Sequence, residues 1–270
     1  MRIISSPIFQ LRDIIRSLLT SSPSSYDLIS TLLSYGQSLG ASAIHGYLVD
    51  RCYDTQTLIN EEFSYYQGKA LCITYDITLT EQQWEDIFGI HESTSTVSRT
   101  ASSFFHLSDF LCILSGSRVV YYDPSERMVQ DERAYVSIFD LEHDDIEMFQ
   151  DQFSPLDYFL SQSKTSFNGT LIRLPLRTNS QTQLTNRIQT LDDIHQQILQ
   201  YFSSTHSLID LLLLGTNINQ IIFDSTSDFQ TLTRFFSVNK KCQTTIRDGQ
   251  STTEVLNLSV CKLINEIETR

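Results

Sequence analysis

Phe167-Asn168-Gly169-Thr170-Leu171-Ile172-Arg173-Leu174-Pro175-Leu176-Arg177 is the stretch from which the fold is read. From Thr170 onward the residues alternate. Thr170, Ile172, Leu174 and Leu176 share one side, and Leu171, Arg173, Pro175 and Arg177 share the other. A period of two belongs to a β-strand, so residues 169–176 are expected to form a central strand, buried on its Thr170 side. The polar run 178–183 follows and reads as a linker.

Outward from this strand, helical and strand periods take turns. Ile8, Leu11, Ile14, Ile15, Leu18 and Leu19 recur at helical spacing over residues 7–20. Leu28, Ile29, Leu32, Leu33 and Leu39 do so over residues 26–39, with Ser25 placed to cap the first amides and Gly40 to end the helix. Residues 43–49 and 70–75 read as strands. Thr80, Glu81 and Gln83 resemble a capping box, starting a helix that turns Trp84, Ile87 and Phe88 inward. Residues 110–114 and 118–122 form a hairpin pattern across Ser115-Gly116-Ser117, and 135–139 adds a strand. The acidic run 142–147 reads as a solvated loop or helix start. Beyond the linker, 184–202 is one long helix or two short ones, 208–214 a short helix closing at Gly215, and 220–223 a strand. Residues 229–267 are mixed and strand-like. This order predicts an α+β chain with helices on one face of a mixed sheet. Its first domain spans 1–177, followed by the linker 178–183 and a smaller α/β segment, 184–270.

Composition narrows the partners. The net charge is −13, with 32 acidic against 19 basic residues, and Lys240 and Lys241 are the only adjacent lysines. Nucleic-acid binding needs clustered cations to replace phosphate counterions, so no nucleic acid is expected, and an acidic surface disfavours anionic membranes. No apolar run approaches the roughly 20 residues that cross a bilayer. The first 19 residues are interrupted by Gln10, Arg12, Asp13 and Arg16, unlike a signal-peptide core. A soluble, cytoplasmic chain is expected, and the triplets Asn168-Gly169-Thr170 and Asn257-Leu258-Ser259 then carry no weight as glycosylation sites.

Five cysteines (Cys52, Cys72, Cys112, Cys242, Cys261) are far apart and mostly in apolar runs, so they read as buried free thiols. Cys242 follows two lysines but has no histidine near it in sequence, which is poor ground for a cysteine nucleophile. His91-Glu92, residues 106–109 and His143-Asp144-Asp145 lack His-Glu-x-x-His spacing and read as solvated surface, with no metal site expected. No Gly-x-Ser-x-Gly elbow or Gly-Lys-Ser/Thr phosphate loop occurs.

Three stretches, taken in order, resemble the ATPase module of sacsin and Nov-domain proteins, within the heat shock protein 90-like GHKL superfamily. Asp151-Gln152-Phe153-Ser154-Pro155, followed by the strand quoted above, is similar to the family's Asp-Gln-Phe-x-Pro and Phe-x-Gly-Thr-x-x-Arg-x-Pro-Leu-Arg. Tyr66-Gln67-Gly68-Lys69-Ala70-Leu71 and Thr80-Glu81-Gln82-Gln83-Trp84 look like its Phe-Gln-Gly-Pro-Ala-Leu and Thr-Glu-Glu-Asp-Trp segments. Leu39-Gly40-Ala41 with Asp50 is similar to the end of its first ATPase helix and the strand after it. The resemblance extends, with gaps, over about residues 7–225. It implies a two-layer, Bergerat-like α/β sandwich, with ATP or ADP and magnesium as the family's ligands.

The same alignment implies that the chemistry is lost. It sets Thr31 where the family has its water-activating glutamate and Tyr35 where it has its magnesium-binding asparagine. A threonine hydroxyl is no base near neutral pH, and a phenol offers the metal no carbonyl oxygen. The phosphate-lid stretch, residues 98–106, contains no glycine, although close approach of backbone amides to phosphate requires small residues. Asp76 falls at or beside the adenine-binding aspartate and Thr170 at a threonine of the adenine edge. Each has a second reading, Asp76 as a loop cap and Thr170 as a core hydroxyl. The expected function is a non-catalytic, chaperone-like protein-interaction module without catalytic residues or cofactor. The alternatives are a domain that still binds ATP or ADP through Asp76 and Thr170, or an ATPase drawing its base from Glu61 or Glu62.

Overall fold

The computed structural model describes residues 2–5, 15, 16, 19, 27–88, 95–124, 134–144, 146–177, 184, 188–203, 217–247 and 251–262. At 2–5, 98, 99, 134, 135 and from 240 onward only the backbone is described. The strands are β1 (Arg2–Ser5), β2 (Ala43–Val49), β3 (Ala70–Tyr75), β4 (Leu111–Gly116), β5 (Arg118–Tyr122), β6 (Ala134–Asp140), β7 (Phe167–Pro175), β8 (Gln220–Thr226), β9 (Thr233–Arg247) and β10 (Ser251–Lys262). The helices are α1 (Leu28–Leu39), α2 (Glu81–Phe88), α3 (Thr96–Ser103), the short α4 (Gln150–Phe153) and α5 (Leu191–Tyr201). Together they make an α+β architecture.

All ten strands join one mixed sheet in the order β1-β6-β5-β4-β7-β3-β2-β8-β9-β10. The pair β2–β8 is parallel, with Ile44 opposite Ile221, and the other pairs are antiparallel. The segment beyond the polar run therefore continues the same sheet through β8 to β10. The predicted strand is central, as expected: β7 pairs with β3 on one side and β4 on the other. The strand β1, which the sequence reading had not anticipated, pairs along β6 at the sheet edge. Four residues are too few to show a period.

Helix α1 is capped by Asp27, whose carboxylate accepts from the Ser30 amide at 3.1 Å, and not by Ser25 as expected. Gly40 ends it with φ of 83°, a left-handed turn that costs glycine little. Thr80 and Gln83 form the anticipated reciprocal cap on α2, and Trp84, Ile87 and Phe88 are buried. Helix α5 begins later than expected, because Thr190 and Asp193 make a capping box there. Of the predicted helix over 7–20, Ile15, Arg16 and Leu19 are described and helical, with Ile15 and Leu19 buried. The expected helix over 208–214 and the polar run 178–183 lie outside the described residues.

Two cores sandwich the sheet. On one face Leu28, Ile29, Leu32 and Leu39 of α1 pack on Ile44, Ile73, Ile113 and Ile172. Each such side chain contributes about 1.5–3 kcal/mol on leaving water. On the other, Val49, Cys72, Leu114, Leu171 and Tyr121 are covered by loops and short helical turns carrying Phe63, Tyr66, Phe153 and Leu156. β7 is thus buried on both faces. Thr170, Leu171 and Ile172 are fully buried, and so, against the polarity of its side chain, is Arg173 at 3% exposure.

Candidate functional site

The end of β3 brings together the residues that the sequence had singled out. Tyr75 stands opposite Thr170 in the register, and Asp76 follows it where the chain leaves the sheet. The Asp76 carboxylate accepts from the Ser42 amide at 2.8 Å, the Ala43 amide at 2.9 Å and the Ser42 hydroxyl. Its desolvation opposes ionisation, but these three donors outweigh it and hold the carboxyl below the usual carboxylate range. Asp76 thereby ties the turn after α1 to the end of β3.

Thr170 is equally committed. Its hydroxyl donates to the Ile77 carbonyl at 2.6 Å and lies 3.0 Å from the Ser115 hydroxyl. Ser115 in turn receives the Leu79 amide at 2.9 Å. Gly169 has to be glycine for a local reason: a Cβ there would stand 2.7 Å from the Tyr75 carbonyl oxygen.

Helix α1 presents Tyr35 toward this region, with Thr31 one turn earlier on the helix. The half-buried Thr31 donates its hydroxyl back to the Asp27 carbonyl at 2.9 Å. Tyr35 is fully buried, its ring edge-on to Tyr75 (centroids 5.5 Å, 61°) and to Phe104 (5.3 Å, 73°). Burial pushes its phenol well above the ordinary range, and its Oη has no hydrogen-bond partner among the described residues. The Tyr75 hydroxyl donates to the Leu32 carbonyl at 3.1 Å. Gly36 lets the helix settle on Tyr75, since a Cβ there would meet the ring at 2.9 Å. Three aromatic rings therefore fill the space between α1 and the sheet beside Thr170.

Phe104 comes from the stretch aligned with the phosphate lid. Residues 98–106 are helix α3 running into a 3₁₀ turn, and Ala101, Phe104 and Phe105 are fully buried. Arg177, last residue of the quoted motif, clamps this turn. It pairs with Asp109 and donates to the carbonyls of Phe105, His106 (2.8 Å) and Ser108 (3.0 Å), with both charged side chains almost fully buried. Ser108 donates onward to the Pro175 carbonyl at 2.6 Å. A planar fork with several donors suits such a cluster of carbonyls.

Trp84 of the motif over residues 80–84 shares the α1 core, whereas the motif over 151–155 and the stretch 66–69 lie on the opposite face of the sheet. The Asp151 carboxylate accepts the Gln56 and Thr57 amides, both at 2.8 Å. Gln67 donates to the Asp151 carbonyl at 2.9 Å, and Arg173 donates to the carbonyls of Tyr66 (2.7 Å) and Gly68 (2.9 Å). These residues knot loops together and stand apart from the Asp76–Thr170 region. Glu61 and Glu62 open a 3₁₀ turn whose Phe63 and Tyr66 join this second core, so the sheet separates them from Thr31. Cys72 and Cys112 are buried here, and burial raises both thiols to about 12 despite the nearby Arg173. Cys52 is exposed, against the expectation of burial.

Among the described residues, Asp140, Glu142 and His143 set potential metal-ligand atoms within 4.8 Å of one another on a solvent-facing turn. The sequence pointed to His143 but not to Asp140. No helix among the described residues is long and apolar enough to cross a membrane.

Comparison with known proteins accords with the collinear motifs. Human sacsin is 26% identical over 219 residues, an alignment covering 76% of this chain. The chain spans about 5% of the length of that much larger protein. The sequence profile of the sacsin domain family matches residues 9–234, which takes in the α1 helix, the Tyr35–Tyr75–Phe104 cluster, the Arg177 clamp and the Arg173 knot. The chain belongs to the sacsin domain family.

Proposed function

We propose that this chain is a non-catalytic, chaperone-like protein-interaction module, descended from a heat-shock-type GHKL ATPase domain whose nucleotide pocket has been filled. The observation that carries the reading is the plug of Tyr35, Tyr75 and Phe104 between α1 and the end of β3. Thr31 and Tyr35 stand where the resemblance sets base and metal ligand, and neither offers that chemistry. Asp76 and Thr170 spend their polar atoms on the protein's own backbone and hydroxyls. A fold of this kind survives loss of its ligand because the two apolar cores do not depend on the pocket. Its acidic charge suits a cytoplasmic setting and protein partners rather than nucleic acid or anionic membrane.

Calorimetric titration of ATP and ADP, with and without magnesium, tests this. The expected result is no saturable heat and no thermal stabilisation at millimolar nucleotide. Saturable binding that disappears on substituting both Asp76 and Thr170 would instead establish a nucleotide-binding domain.

A further inference from the structure

On the face of the sheet away from α1, a chain of polar side chains crosses three strands. Arg234 on β9 donates from Nε to Asp224 Oδ1 at 3.1 Å. Asp224 on β8 is fully buried, and its Oδ2 lies 2.7 Å from His45 Nε2 on β2. His45 Nδ1 is 2.8 Å from Tyr47 Oη, and the two rings stack with centroids 4.0 Å apart. Register places these groups side by side: His45 pairs with Ile222 and Thr74, and Tyr47 with Asp224.

The carboxylate sets the direction of every proton. Asp224 only accepts, so His45 carries its proton on Nε2 and leaves Nδ1 to accept from the Tyr47 hydroxyl. Burial holds the imidazole below its ordinary range, against the pull of Asp224, so the ring is neutral near pH 7. Burial also keeps the Tyr47 phenol protonated. With its proton committed to His45, Tyr47 can offer further partners only its lone pairs. Arg234 alone would supply the counter-charge for Asp224, and extending the chain to a phenol costs the burial of an imidazole.

The chain ends at a groove. Tyr47 helps line a cavity of about 430 Å³ between β3 and the segment running into β7, within the ~300–1,000 Å³ typical of small-molecule sites. One part of its wall is aromatic, with Tyr158 and Phe167, and Tyr158 is braced by stacking on Phe229 at 4.4 Å. The rest is hydroxyl and amide, including Thr74, Ser163 and Asn168, and no lining residue is charged. A phosphate or carboxylate ligand finds no counter-charge there. A purely apolar one would take the wall's hydroxyls and amides out of water without replacing the hydrogen bonds that water gives them. What fits is a neutral molecule that carries many hydroxyls beside a flat C–H surface.

We propose that this groove binds a neutral carbohydrate, with Tyr47 Oη as a fixed acceptor for one sugar hydroxyl. Asn168 and the Thr74 and Ser163 hydroxyls exchange further hydrogen bonds, and the aromatic wall takes the C–H face of the ring. This site lies on the far side of the sheet from the filled pocket and does not depend on its fate.

Saturation-transfer NMR of the full chain with maltotriose, cellobiose and diacetylchitobiose, with triglycine as control, tests the assignment. At least one saccharide is expected to show transfer at millimolar concentration. Its affinity should fall roughly tenfold in Tyr47→Phe and in Asn168→Ala, the loss of about one good hydrogen bond, with the native circular-dichroism spectrum retained in both. Affinity should also fall as pH drops through the lowered His45 range, because protonated Nδ1 donates to Tyr47 and turns the phenol from acceptor to donor. That pH dependence should vanish in Tyr47→Phe. Absence of transfer from every saccharide, equal transfer from triglycine, or transfer that survives both substitutions would overturn the proposal.

Discussion

Tyr35 and Tyr75 touch each other in the same fully buried plug, yet removing their hydroxyls should have opposite effects. Tyr35 Oη lacks a hydrogen-bond partner among the described residues, whereas Tyr75 Oη donates to the Leu32 carbonyl at 3.1 Å. A buried hydroxyl left unpaired costs about 1–3 kcal/mol, while a made hydrogen bond returns about 0.5–1.5 kcal/mol net. Tyr35→Phe keeps both edge-on ring contacts and sheds only the unpaired oxygen, so it should stabilise the fold by about 1 kcal/mol. In a chain of this size that raises Tm by roughly 2–4 °C. Tyr75→Phe should lower stability by about 1 kcal/mol, since the Leu32 carbonyl loses its second donor. Urea unfolding followed by near-ultraviolet and far-ultraviolet dichroism gives both values, provided the two probes report coincident transitions. A loss of stability in Tyr35→Phe as large as in Tyr75→Phe would refute the reasoning. The Tyr35 hydroxyl would then be a satisfied group, and the region between α1 and β3 a polar site rather than a plug.

Arg177→Ala should cost about 3–5 kcal/mol, because it removes the guanidinium paired with the buried Asp109 carboxylate and releases three carbonyls of the turn beneath α3; soluble yield and urea midpoint report it. Asp76 has a folded-state pKa below its unfolded value, so its contribution is present above the unfolded pKa and lost as pH falls through the folded one. Asp76→Asn should accordingly flatten the acid limb of a stability–pH curve while leaving neutral-to-alkaline slopes unchanged. With thiols raised to about 12, Cys72 and Cys112 should resist alkylation in the native protein at mildly alkaline pH, while the exposed Cys52 reacts; peptide mapping before and after denaturation distinguishes them.

Residue pattern made the secondary structure legible where strands are short apolar or alternating runs and the caps and turns are local. The strand at β7 carries a two-residue period, β2 and β3 are short, mainly apolar runs, and the hairpin of β4 and β5 closes on a short glycine-containing turn. The Thr80 cap was readable because both partners lie within three residues. What escaped depends on partners distant in sequence. The start of α1 is set by Asp27 rather than the neighbouring serine, a choice that propensity cannot make among good capping residues. The burial of Arg173 is invisible locally, since carbonyls some 105 and 107 residues away satisfy its guanidinium.

The same division runs through the sites. The resemblance aligned Thr31 and Tyr35 with the family's catalytic positions, and residue identity alone says that neither side chain can perform that chemistry. It could not choose between the two readings of Asp76 and Thr170, since a carboxylate or hydroxyl binds whatever donors the fold turns toward it. The tertiary structure turned toward them the loop after α1, the Ile77 carbonyl and Ser115. It also brought Phe104 onto Tyr35 across 69 residues and assembled His45, Tyr47, Asp224 and Arg234 from three strands. Nothing in their spacing announces that cluster: hydrogen bonds between strands depend on register, and register is settled only when the two cores close on the sheet.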